Sequence, residues 1–174
     1  MLNVLSVDPG HAAGGLAYIA GAGLTIGAYK KMPRKSGAVW KLTLDVPSAP
    51  VQITEHRDLW SMMDHVWATI KPNRYVLVVE QPFIPRGRLV GLTKLIESSG
   101  GWCATFAPGA LTVCRPTANA WRQSVLGINS RVPAKVAEQM CIDWAAQHDV
   151  RSMCANGHAC EALAMGIYAR SLLG

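Results

Sequence analysis

Three carboxylates and one histidine stand where a chain concerned only with stability rarely puts them. Asp8 follows the apolar run Leu2–Val7 and opens the turn Asp8-Pro9-Gly10. Glu80 ends the apolar run Tyr75–Val79. Glu161 lies in His158-Ala159-Cys160-Glu161-Ala162-Leu163-Ala164, three residues after His158. An ionised carboxylate at the mouth of a core strand costs more in desolvation than it returns, unless it is used. Several acids brought together suit hard divalent cations, which prefer oxygen ligands and keep open positions for water. Two such ions in one site activate water and stabilise the leaving oxygen of a phosphodiester.

The elements that must position these residues are legible in outline. Leu2–Val7, Leu16–Ala20 and Leu24–Tyr29 read as three short antiparallel strands separated by glycine turns. Lys30, Lys31, Arg34 and Lys35 read as a basic loop, solvated or contacting nucleic acid. The stretch Val39–Ile53 has room for one more edge strand, interrupted by Pro47 and Pro50. Leu59, Met62, Met63, Val66, Trp67 and Ile70 form a helical stripe, capped by Thr54 or Asp58 and stopped by Pro72. Tyr75–Val79 reads as a central strand. A helix over Leu89–Ile96 closes at Gly100-Gly101, and strands follow at Trp102–Phe106 and Leu111–Arg115. Thr117 caps a helix containing Trp121, with Gly127 beyond its end. The next helix starts near Pro133 and faces the core with Val136, Met140 and Trp144. Asn156 caps the last, where Leu163 and Ile167 face inward. The sum is a mixed sheet with helices packed against it. His158 and Glu161 share one helical face, so a helix crossing the ends of the first and central strands gathers them with Asp8 and Glu80.

The bulk numbers narrow the class. The 174 residues suit one domain, 1–174, with a full core, and no repeat or linker argues for a second. Half the residues are apolar, which excludes disorder. The net charge of +6 suits a polyanionic partner, nucleic acid foremost, and on charge alone equally a merely basic soluble protein. No apolar run reaches the roughly 18 residues of a membrane span, and no signal pattern opens the chain. Five cysteines without framework spacing read as reduced thiols. A cytoplasmic protein with no membrane partner is the expectation. Cys154, His158 and Cys160, with Cys141 or His148, form a rival zinc set, although Cys-x3-His-x-Cys matches no ordinary zinc module. His11 reads as a turn histidine or a substrate-positioning one.

With those residues in place, the chain resembles the RuvC family of Holliday junction resolvases over most of its length. Val4-Leu5-Ser6-Val7-Asp8-Pro9-Gly10 is similar to the family's first-strand motif, and Val79-Glu80-Gln81-Pro82-Phe83 to its second acidic motif. His158 to Ala164 resembles the closing Asp-x-x-Asp-Ala-Leu-Ala pattern, with His158 and Glu161 in place of the two aspartates. Arg122-Gln123-Ser124-Val125-Leu126-Gly127 resembles a segment that opens with a functional lysine, and Lys135 falls where a second basic residue is expected. The departures resemble a divergent, phage-like member.

The resemblance implies a ribonuclease H-like fold, a mixed five-stranded sheet flanked by helices. It implies a Mg2+-dependent endonuclease, with Mn2+ substituting, that holds two ions and cuts four-way junctions, with other branched DNA as further candidate substrates, to leave 5′-phosphate and 3′-hydroxyl ends. Asp8, Glu80, His158 and Glu161 would be catalytic and metal-binding, with His158 a ligand or a general base. Phe83 would stack on a base, its alternative being a core position. Arg86, Arg88, Arg122 and Lys135 would contact DNA, and Arg86 and Arg88 also fit a plain exposed loop. A homodimer follows from the two-fold symmetry of a junction, with Leu89–Ile96 in the interface. The rival readings are a branched-DNA-binding protein that has lost catalysis, with His158 as the lesion, and a sugar-kinase or actin-like nucleotide binder, for which 174 residues leave no second domain.

Overall fold

The structure is a computed structural model that describes residues 2–35, 37–46, 49–70, 74–83, 91–148 and 157–174, without the side chains of 49 and 50. Five consecutive strands form an antiparallel meander: β1 (Asn3–Asp8), β2 (Ala13–Ala20), β3 (Gly23–Arg34), β4 (Gly37–Val46) and β5 (Ala49–His56). Two parallel strands, β6 (Tyr75–Val79) and β7 (Ala110–Cys114), complete the sheet beyond β1. The order is β5-β4-β3-β2-β1-β6-β7. The sheet therefore has seven strands where five were expected. The region read as a single interrupted edge strand is the hairpin β4–β5, and Pro50 lies on its outermost strand, where a missing N–H is tolerated. Lys30, Lys31 and Arg34 belong to β3 instead of a loop.

Period-2 alternation splits the core between the two faces. Leu5, Val7, Leu77 and Val79 pack on one side against Met62, Met63 and Val66 of α1 (Leu59–Ile70) and Trp102 and Phe106 of α2 (Leu92–Phe106). Val4, Val76 and Val78 pack on the other side against Trp121 of α3 (Ala118–Leu126), Cys141 and Ala145 of α4 (Ala134–Gln147), and Cys160, Ala164 and Met165 of α5 (Gly157–Leu173). The expected strand Trp102–Phe106 is thus the end of α2. Its two aromatic rings lie one helical turn apart and stack at 5.4 Å. Gly100-Gly101 does not close that helix, and Gly101 sits inside it against Met63. On α4 the buried face is Ala137, Cys141 and Ala145, one position round from the expected stripe, while Val136 and Met140 are exposed. Small residues let α4 lie close to α5, and close packing outweighs burying the larger side chains.

Three caps follow the sequence. Asp58 Oδ1 accepts from Ser61 N at 2.8 Å ahead of α1, Thr117 Oγ1 accepts from Ala120 N at 3.3 Å ahead of α3, and Gly127 ends α3 at φ 67°. Thr54 instead lies on β5. The expected roles of Pro47, Pro72 and Asn156 lie outside the described residues. Leu163 is buried as expected, whereas Ile167 is partly exposed.

Candidate active site

Asp8 is the last residue of β1 and Glu80 the first beyond β6. The two strands run parallel in the register Val7↔Val79, and Glu80 N donates to Val7 O at 3.2 Å. Alternation from Val4 and Ser6 turns Asp8 to the α5 side, and alternation from Val76 and Val78 turns Glu80 the same way. Two acids thus leave adjacent strand ends on one face, a strand spacing of about 4.8 Å apart.

Helix α5 crosses that face unusually closely. A Cβ built on Gly15 would meet the carbonyl carbon and oxygen of His158 at 2.2 Å, so the helix backbone lies directly on β2. Gly15 pairs with Asp8 across β1 and β2, which sets His158 beside the aspartate. Further along, the Ser6 hydroxyl donates to Ala162 O and ties helix to strand. Gly15 and Ser6 are positioning residues that the sequence did not disclose, because Gly14-Gly15 reads as a turn and Ser6 as one more core-strand residue.

The side chains then meet. His158 Nδ1 lies 2.5 Å from Asp8 Oδ2. Arg122 Nη2, from α3, donates to Glu161 Oε1 at 2.5 Å. The buried indole of Trp121 donates from Nε1 to Glu80 Oε1 at 2.8 Å. Ligand atoms of Asp8, His158 and Glu161 all lie within 4.8 Å of one another, the sole such group of histidine, cysteine or acid side chains among the described residues. Glu80 adjoins the group without belonging to it, and Trp121 engages one of its oxygens. The turn after Asp8 is fixed from the opposite side: Tyr29 donates its hydroxyl to Gly10 O at 3.0 Å and accepts from Trp102 Nε1 at 3.3 Å.

Electrostatics mark the site as a cluster short of positive charge. Burial, then the charge of Asp8, pushes Glu80 up to about 7, against the opposing bond from Trp121. Burial and Asp8 raise Glu161 as well, and Arg122 opposes the shift. His158 is raised by its hydrogen bond to Asp8, against the cost of burial. Carboxylates that repel one another and an imidazole in bonding range suit a hard divalent cation with a nitrogen ligand. By this test the residues present fit the ion implied by the sequence.

Phe83 is 79% exposed, which overturns the core alternative. It lines a 540 Å³ cavity with Gln81, Thr117, Asn119 and Arg122, next to the acids. Lys135 is exposed on the first turn of α4. Arg86, Arg88 and Leu89 lie outside the described residues, as does Cys154 of the rival zinc set. Cys141 and Cys160 are buried in the core under α4 and α5. His148 bonds to Trp144 O at 2.8 Å, and the His11 ring packs edge-on against Trp40. No helix among the described residues is long and apolar enough to cross a membrane.

No protein-family model matches the chain, and no curated protein matches it. Solved structures do. T. thermophilus RuvC in complex with a Holliday junction substrate aligns over 98% of this chain and 96% of its own, at 14% identity and a TM-score of 0.54. A second structure of Thermus thermophilus RuvC aligns over the same shares at 16% identity and a TM-score of 0.49. At such identity the likeness speaks to architecture. The order of elements, the mixed sheet and the helices on its two faces show that this chain has the ribonuclease H-like fold of the RuvC resolvases.

Proposed function

We propose that the protein is a divalent-metal-dependent endonuclease that hydrolyses backbone phosphodiesters of branched DNA, four-way junctions foremost. The observation that carries the reading is the convergence of Asp8, His158 and Glu161, with Glu80 beside them, at the strand ends of this fold. It is supported by the likeness to a RuvC structure whose complex contains a Holliday junction.

In this reading Asp8, Glu80, His158 and Glu161 hold the metal, Mg2+ or Mn2+, with two ions per site. Bound there, the metal supplies Lewis-acid polarisation and a water of lowered pKa. Asp8 is central because it faces both strand neighbours and α5. Trp121 holds one oxygen of Glu80 and leaves the other to the site. His158 keeps Asp8 oriented through Nδ1 and, as the alternative to a ligand role, would hold or move a proton as general base. Arg122 lies at the rim, its Nε buried without a hydrogen-bond partner among the described residues, and suits a phosphate oxygen. Phe83 stacks on an unpaired base at the branch point, a contact of roughly 1–3 kcal/mol. Arg86, Arg88 and Lys135 add phosphate contacts. A two-fold dimer, with the α2 side in the interface, presents two sites to opposed strands.

The test is cleavage of labelled four-way, three-way, flap and linear DNA with Mg2+, Mn2+, Ca2+ or chelator. Metal-dependent cutting of branched DNA that Asp8→Asn abolishes, with junction binding retained, is the expected result. Full activity in chelator would sink the metal mechanism. Binding without cutting under any metal would leave a junction-binding protein without catalysis.

A further inference from the structure

Resting on the reading as a nuclease of branched DNA, we infer that the open sheet face over β3, β4 and β5 is a second DNA-docking surface, which carries the backbone of a duplex arm leaving the site. This hairpin-extended part of the sheet goes beyond the strands needed to place the four site residues.

The register places it. Asp8 pairs with Gly15, Gly15 with Ala28 and Ala28 with Thr43, in one row across the sheet. Ala28 packs with Ala159, Ala162 and Leu163, so the row lies on the α5 face, as Asp8 does. Two residues further towards the site end of the sheet, Lys30 stands directly opposite Lys41 on the same face. Two strand spacings and two residues put Lys30 about 12 Å from Asp8, close to the width of a major groove. Helix α5 covers β1, β2 and the near part of β3. Beyond it Lys30 and Lys41 are exposed, with Val51 and Ile53 on the outer strand.

Like charges directly opposite one another across a sheet are destabilising. Lysine on an outermost strand is a known guard against edge pairing, but β3 and β4 are interior strands, so that explanation does not apply. Glu55 stands opposite Lys41 in register, yet its carboxylate is paired with Arg34. Arg57 lines a 370 Å³ depression at the β3–β4 turn beside the Glu55-paired Arg34, continuing the positive charge away from the site. The remaining acid in this part of the face, Asp45, lies opposite Ile26, on the far side of the Ala28 row from the lysines. A lysine pair with no acid bonded to it among the described residues, continuous with a phosphodiester-cutting site and followed by Arg57, fits a polyphosphate backbone.

The experiment measures binding of Lys41→Glu and of Lys30→Gln/Lys41→Gln to fluorescent four-way junctions across a salt series, beside their melting temperatures. Lys41→Glu turns the repulsion by Lys30 into attraction but sets like charges opposite one another at Glu55, so its melting temperature should stay close to wild type while its junction affinity falls about tenfold or more. The double glutamine variant should lower the salt slope by about two units. Both defects should shrink on junctions whose arms are cut to stubs too short to reach the sheet. Wild-type affinity and slope in both variants, or an equal defect on stubs and long arms, would overturn the docking surface while leaving the nuclease reading intact. Wild-type protein that binds none of these DNAs would overturn the nuclease reading, and the surface with it.

Discussion

The indole N–H of Trp121 reaches Glu80 Oε1 at 2.8 Å, so a fully buried side chain on α3 sets the orientation of a carboxylate at the end of β6. Removing that donor without emptying the core isolates its contribution. Trp121→Phe should leave the protein folded, cost about 1–3 kcal/mol, and lower divalent-ion affinity or cleavage by about 10–100-fold. Titration with Mn2+ and cleavage at saturating metal separate the two effects. Unchanged affinity and activity would reduce Trp121 to core packing.

Protonation of the metal-free site should be visible as a stability trend. Glu80 moves from 4.5 up to about 7, so between those values the native state keeps a proton that the unfolded chain has lost. Stability therefore falls as pH rises through that window. The raised His158 acts in the same direction: its pairing with Asp8 is present at low pH and is lost as pH rises through its elevated pKa. In chelator, the melting temperature of wild type relative to Glu80→Gln should fall by several degrees from pH 4.5 to 7. A constant difference across the range would contradict the buried, repelled carboxylate.

His158 is open to solvent over 38% of its side chain, so truncating it leaves no large buried cavity. His158→Ala should cost about 1–3 kcal/mol through the bond lost to Asp8. Cleavage should fall further, by about 100-fold or more. His158→Asp adds another repelling carboxylate, so the protein should melt lower in chelator and recover with Mg2+ or Mn2+ while still cutting. An Ala variant with normal cleavage would remove His158 from the chemistry.

Two glycines should respond in opposite directions to one methyl group. Gly15→Ala drives a Cβ into the His158 carbonyl, and because the obstacle is backbone the helix must lift, at a cost of at least about 3 kcal/mol. Gly100→Ala meets nothing within 4 Å inside α2 and should stabilise by about 0.5–1 kcal/mol. Thermal melts of the pair test both the seat of α5 and the helical assignment of a segment whose two glycines read as a stop.

The acids were legible in the sequence because strand ends are marked by where apolar runs stop, and Asp8 and Glu80 stand at those stops. His158 and Glu161 were legible through their spacing of three. The partners were not. Trp121 read as one more apolar helix residue, and nothing local to it announces a bond to a residue 41 positions away. The strand read at Trp102–Phe106 failed because a five-residue apolar run suits a buried helix end as well as a strand, and packing under α1 decided between them. The hairpin β4–β5 was hidden by its prolines, which count against a strand only when the strand is interior. On α4 the pattern of large apolar residues pointed one way and the close approach of α5 another, and the small residues went inside.

Asp8, Glu80 and Glu161 each have a partner supplied by the chain itself: His158, Trp121 and Arg122. In the proposed metal site His158 and Trp121 would stay where they are, and Arg122 alone would be a placeholder. The donor atoms are already gathered when folding ends, so loading that site would exchange one partner without ordering loose side chains, and the entropic cost of shaping it falls on folding instead of on binding. Released from Glu161, the Arg122 guanidinium is left unpaired at the rim beside the cavity that Phe83 and Asn119 line, where an incoming phosphate would be its next counter-ion. Charging the site and readying its grip on DNA would then be a single event.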